Sequence, residues 1–161
     1  MKKIISIIMG SESDLATVQS AIDVLKEFKV GFEVEVLSAH RTPKLLEKYV
    51  EAAPKRGTKI FIAAAGGAAA LAGVIASHTT LPVIGIPIET KSLKGLDSLL
   101  STVQMPAGVP VASMAIGKAG AKNAAIFSLE ILGIQDKRIN AKLSAYKKKM
   151  RSKIKKIRIK L

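Results

Sequence analysis

Cysteine and tryptophan are absent from the 161-residue chain, and histidine occurs only twice. The lack of cysteine excludes disulfides, a thiolate nucleophile and zinc–cysteine sites. His40 and His78 lie too far apart in the sequence to suggest a metal centre without other ligands, so no metal is expected. Aromatic residues form 4% of the chain and apolar residues 48%. Small and branched aliphatics must therefore make the core, as in parallel sheets covered by helices. Long apolar runs are missing too. Ile4 to Met9 is followed at once by Gly-Ser-Glu-Ser-Asp, too short for a signal peptide or a membrane span. The expected location is the cytoplasm, with no membrane partner.

Acidic residues are missing from one region. Residues 137–161 carry 12 basic and no acidic side chains, whereas residues 1–136 carry 14 basic and 12 acidic ones. The net charge of +14 belongs to the tail, and a body near +2 gives no reason to expect nucleic acid as its partner. Through that tail Ile139, Leu143, Tyr146, Met150, Ile154, Ile157 and Leu161 step by three or four residues, the stripe of an amphipathic helix. The division expected is a single α/β catalytic domain over 1–136 and a basic C-terminal helix over 137–161 packing on a neighbouring subunit. RNA or anionic-membrane affinity is the competing reading of the tail, and no aromatic or recognition motif supports it.

What the body does have is a repeated β–α pattern. Ile4–Met9, Glu33–Leu37, Lys59–Ala64, Pro82–Ile86 and Val111–Ile116 read as strands. Helical spacing follows over 15–28, over 45–53 with Pro54 stopping or kinking the helix before Gly57, up to Ser77, near 96–102 and over 119–132. This pattern predicts a three-layer α/β/α fold around a five-stranded parallel flavodoxin-like sheet, with ligands at the carboxyl ends of the strands. Three loops fall there: Gly10–Asp14, Ser38–Pro43 and Ala65–Ala70.

Ser38-Ala39-His40-Arg41-Thr42-Pro43 places a hydroxyl, a proton-transfer group and a fixed cation after a strand. Its Thr-Pro pair reads as a helix start with a cap hydroxyl. Gly10-Ser11-Glu12-Ser13-Asp14 offers backbone N–H groups for phosphate and a carboxylate for a ribose hydroxyl, and equally suits plain helix capping. Its spacing is neither Gly-x-Gly-x-x-Gly nor a P-loop, which argues against a dinucleotide or triphosphate. Gly66-Gly67 lets a ligand approach the backbone closely, or serves a tight turn. Met105–Pro110 is a proline-pinned loop suited to a subunit contact or a lid. Gly117–Gly120 reads best as a turn, and His78 as structural.

These motifs resemble those of the N5-carboxyaminoimidazole ribonucleotide mutase family of de novo purine biosynthesis. The likeness runs from Ile4 to about Leu132. Its carriers are Met-Gly-Ser-Glu-Ser-Asp at 9–14, Ser-Ala-His-Arg-Thr-Pro at 38–43, Ala-Gly-Gly-Ala-Ala at 65–69 and Leu-Pro-Val-Ile-Gly-Ile-Pro at 81–87. The run from Gly95 to Pro110 and Ala-Ile-Gly-Lys-Ala-Gly-Ala at 115–121 complete it. The resemblance implies an isomerisation without cofactor or metal. The carboxylate on the substrate's exocyclic nitrogen is released as carbon dioxide and recaptured by the ring carbon, giving 4-carboxy-5-aminoimidazole ribonucleotide. It assigns the proton shuttle to His40 and the ribose phosphate to Ser11, Asp14, Ser38 and Arg41, with Ala39 beside them. It gives Gly66, Gly67, Ala69, Ala70 and Leu71 to the carboxylate and carbon dioxide pocket. A homo-octamer and an ATP-dependent carboxyaminoimidazole ribonucleotide synthase as functional partner are implied as well.

The chain departs from that pattern in places. The mutases usually read Gly-Gly-Ala-Ala-His-Leu-Pro-Gly where Ala70 and Ala72 stand here, and Leu15 replaces a common tryptophan or methionine. The related carboxylases that use carbon dioxide directly also tend to lack that histidine, but typically carry lysine where Arg41 stands. The alternatives to a mutase are therefore a direct aminoimidazole ribonucleotide carboxylase and a non-catalytic nucleotide-binding module with an RNA-binding tail.

Overall fold

The computed structural model describes residues 2–159. Five strands, β1 (Ile5–Met9), β2 (Phe32–Val36), β3 (Ile60–Ala65), β4 (Val83–Pro87) and β5 (Ala112–Ser113), form one parallel sheet in the order β2-β1-β3-β4-β5. This is the expected flavodoxin-like order. The central strands are buried along nearly their whole length, and their continuous apolar runs are what burial on both faces requires. β2 at one edge alternates Glu with apolar residues and is partly exposed.

Helices α1 (Leu15–Phe28), α2 (Pro43–Arg56), α3 (Leu71–Ser77), α4 (Leu96–Val103), α5 (Gly117–Gly133) and α6 (Lys137–Lys155) complete the chain. The order reverses beside β1, so right-handed crossovers put α1 on the face opposite α2 and α3. The face below α2 and α3 is a continuous cluster: Ile8, Phe61, Ala63 and Val83 from the sheet meet Leu46, Val50, Ala53, Leu71, Ala72 and Ile75. Gly85 lets α4 sit close, since a Cβ there would run into Thr102 and press on Val111 at 3.2 Å. Ser6, fully buried in β1, is satisfied by Tyr49 Oη at 2.8 Å; that hydroxyl donates in turn to Glu33 at 2.6 Å. Burial first, then the bond to Glu33, pushes the Tyr49 phenol up to about 12, and Arg56 stacks over its ring at 4.2 Å.

Three expectations change in detail. Pro54 lies inside α2 and does not stop it. It sits in the last turn, where the helix continues to Arg56 and closes at Gly57 (φ 95°), whose N–H bonds to Ala53 and Pro54 carbonyls. β5 has two residues where six were expected. Pro110 precedes it, and beyond Ser113 one further ladder bond, Met114 N–H to Gly85 O at 2.9 Å, ends the pairing. Thr42 is the N-cap residue of α2, yet its hydroxyl turns back to Ser38 instead of capping.

The chain packs as two compact units, Met1–Ile126 and Phe127–Leu161, with the boundary inside α5 rather than at the charge boundary. The second unit is a helical hairpin. Asp136 caps α6 by accepting N–H bonds from Arg138 and Ile139, and Arg138 holds its carboxyl below the usual range. Ile139 and Leu143 are buried, and Lys147 pairs with Glu130 at 2.6 Å. The helix ends at Lys155, so Ile157 falls outside it, and Leu161 lies outside the described residues. Among the described residues no helix is long and apolar enough to cross a membrane.

Candidate active site

The carboxyl ends of β2, β1, β3 and β4 lie side by side, so the loops that follow them form one rim. Hydrogen bonds stitch these loops in pairs. Leu37 N–H bonds to Met9 O at 2.9 Å, Gly10 N–H to Ala64 O at 3.0 Å, and Ile88 N–H to Ala65 O at 2.9 Å. Beneath them Ser98, fully buried on α4, accepts from Gly67 N–H at 2.9 Å and donates to Ile88 O at 2.7 Å. One hydroxyl thus braces the loops after β3 and β4.

The loop after β2 is closed by Thr42, whose hydroxyl accepts Ser38 N–H at 2.9 Å and donates to Ser38 O at 3.1 Å. His40 and Arg41, both exposed, are held at its tip. Arg41 Nη2 donates to Gly10 O at 2.9 Å and Nε to Ser38 Oγ at 3.5 Å. A guanidinium carries five N–H donors, so several remain for an anionic ligand. In the loop after β1, Ser11 caps a 3-10 turn (Glu12–Asp14) by accepting Ser13 N–H, and Ser13 Oγ reaches both Ser11 Oγ (2.9 Å) and Asp14 (3.4 Å). Burial pushes the Asp14 carboxyl up, and the Ser13 bond, the Ser11 backbone and the Arg41 charge pull it partly back.

These loops enclose a cavity of about 480 Å³ lined by Ser11, Asp14, Ser38, Ala39, His40, Arg41, Gly66, Ala70 and Leu71 among the expected residues. Two expected residues are off its wall. Ala69 is buried behind it, and Gly67 (φ 69°) supplies the turn, its N–H going to Ser98. Ser13, Ala68 and the β4 loop, Ile88-Glu89-Thr90, also line the cavity. The β4 loop carries no glycine, histidine or hydroxyl–glycine pattern; its one signal in the sequence was its position after a central strand.

His78 lies elsewhere, on the wall of a second cavity with Glu51. There its imidazole, Glu47 and Glu51 each offer a ligand atom within 4.8 Å, all three exposed. Gly117–Gly120 is not a separate turn but the start of α5, where Gly120 is required because a Cβ would collide with the Ala115 carbonyl.

A doubly wound parallel sheet with a histidine, an arginine and a buried carboxylate around a small-residue crevice defines an α/β enzyme site of mononucleotide size. The chain belongs to the AIR carboxylase family, whose model matches residues 4–153. It is 53% identical over 153 residues to the N5-carboxyaminoimidazole ribonucleotide mutase of Pyrococcus horikoshii, covering 95% of this chain and 85% of that one. The protein of the same name from Bacillus subtilis is 53% identical, covering 89% and 88%. Among solved structures, Treponema denticola PurE superposes with a TM-score of 0.84 at 27% identity, covering 94% of each chain.

Proposed function

We propose that this chain is an N5-carboxyaminoimidazole ribonucleotide mutase of purine biosynthesis. The observation that carries the reading is the convergence of the His40, Asp14 and Gly66 loops on one cavity of nucleotide size, in a chain half identical to mutases over most of its length. Arg41, Ser38 and Ser11 bind the phosphate, and Asp14 accepts from a ribose hydroxyl. The Gly66–Leu71 loop, with no side chain larger than a methyl before Leu71, encloses the carboxylate and the carbon dioxide it becomes.

The proton balance needs one titrating group. Protonated His40 gives its proton to the exocyclic nitrogen as the N–C bond to the carboxylate breaks, leaving amine and carbon dioxide. The ring carbon then attacks carbon dioxide, and His40 takes the proton that carbon loses. The two transfers cancel. Holding both fragments in place supplies the proximity advantage.

The assembly expected is a homo-octamer in the cytoplasm, with the tail that carries α6 seated on a neighbouring subunit and the substrate supplied by an ATP-dependent synthase. Ala70, where the related motif has histidine, favours a second reading: direct carboxylation of the amine by carbon dioxide. Product formation from the N-carboxylated substrate without bicarbonate separates them. Wild-type turnover there, with His40→Asn lowering kcat by about 10²- to 10⁴-fold while ligand still binds, is the mutase result. Turnover seen only from the amine plus carbon dioxide overturns it in favour of the carboxylase.

A further inference from the structure

The β4 loop brings to the cavity a carboxylate for which the mechanism above has no use. Glu89 lines the site, and among the described residues its side chain has neither a hydrogen bond nor an ion pair. Its neighbours are pinned. Ile88 is held through both backbone groups, by Ala65 and Ser98, and the Thr90 hydroxyl donates to Asp97 at 2.8 Å and accepts Gly95 N–H at 3.2 Å. The Ile88 backbone and the Thr90 side chain on either side of Glu89 are therefore held, while its carboxylate is left unpaired at the cavity wall.

The strand order gives that carboxylate a place along the ligand. Arg41 follows β2 and Glu89 follows β4, three inter-strand steps away, or roughly 14 Å at the usual strand spacing. This is comparable with a ribonucleotide laid across the strand ends. With its phosphate at Arg41, the base lies over the β3 and β4 loops. A carboxylate at that end accepts from N–H donors.

We propose that Glu89 accepts a hydrogen bond from the N–H of the exocyclic nitrogen of the substrate base, and so orients the base while the carboxylate leaves and returns. The inference rests on the ribonucleotide reading above. The bond matters most during recarboxylation. As the ring carbon attacks carbon dioxide, the amino nitrogen donates its electron pair into the ring and its N–H groups gain positive character. A bond to a fixed carboxylate then strengthens in the transition state. Glu89 takes no proton and forms no covalent bond.

The test compares binding of aminoimidazole ribonucleotide with that of ribose 5-phosphate, which has no base, by calorimetry on the full chain. Glu89→Ala is expected to weaken the aminoimidazole ribonucleotide by about 10- to 100-fold, the size of one hydrogen bond to a charged group. Ribose 5-phosphate should bind as to wild type. Glu89→Gln, whose amide oxygen still accepts, should fall between, and kcat should drop in the same order. Equal affinity of wild type and Glu89→Ala for the aminoimidazole ribonucleotide overturns the inference alone, as does equal weakening of both ligands. A wild-type chain that binds ribose 5-phosphate but gains nothing from the base overturns the ribonucleotide reading with it.

Discussion

Asp14 is 7% exposed, and ionising a carboxyl there works against folding. Its pKa is raised above 3.8, mainly by burial, so the folded chain holds that proton more tightly than the unfolded one. Linkage then makes this residue's contribution most favourable below 3.8, with stability lost as the pH rises through the folded value. Asp14→Asn should therefore melt higher than wild type at pH 7, and the gap should close as the pH falls toward 4. The same change removes an acceptor for the ribose, so KM should rise by about 10- to 100-fold. Melting curves from pH 4 to 8, set beside KM, check both halves. A variant less stable than wild type at pH 7 would show that Asp14 holds the 3-10 turn together and is not a charge kept there for the ligand.

Ser98 shows the same economy one level up, where an α4 side chain fixes two loops it does not belong to. Removing its hydroxyl leaves a Gly67 N–H and an Ile88 carbonyl without their partner, a cost of about 1–3 kcal/mol per buried group. Ser98→Ala should lower stability by that order and reduce kcat, because the walls after β3 and β4 are no longer held together. Denaturant unfolding and steady-state kinetics on one preparation test it; full stability or unchanged kcat would contradict the bracing role. The run from Gly95 to Pro110 contains this serine, but its bracing role was not legible, since its partners are backbone groups 31 and 10 residues away in the chain. Helices and strands were legible because periodicity records burial, helices on both faces followed from crossover chirality, and the reversal beside β1 is the common order for a five-stranded sheet of this kind. The loops after β1, β2 and β3 were legible because their chemistry is carried by side-chain type. The Thr42 hydroxyl, the extent of α2 past Pro54 and the two-residue β5 depend on competing bonds and edge position, which composition does not encode. Glu89 escaped notice because an isolated glutamate becomes a site residue only through the strand that ends beside it.

At the scale of the molecule, the tail presents an apolar stripe that the chain itself covers only in part. Its stripe is buried at Ile139 and Leu143, then opens: Met150 is 45%, Ile154 70% and Ile157 60% exposed. Apolar groups so presented, amid eight basic side chains over residues 147–158, need a cover, and the neighbouring subunit of the proposed assembly would supply one without a special recognition motif. Deleting residues 147–161 should shift the chain to smaller assemblies, as read by sedimentation. The cavity residues all lie in the other unit, so any loss of activity should follow loss of assembly and be recovered in part at high protein concentration. A polyanion-binding tail predicts otherwise: unchanged assembly, and an RNA affinity that collapses between low and moderate salt. A truncated chain that stays fully assembled yet loses turnover would instead place the tail at the reaction itself.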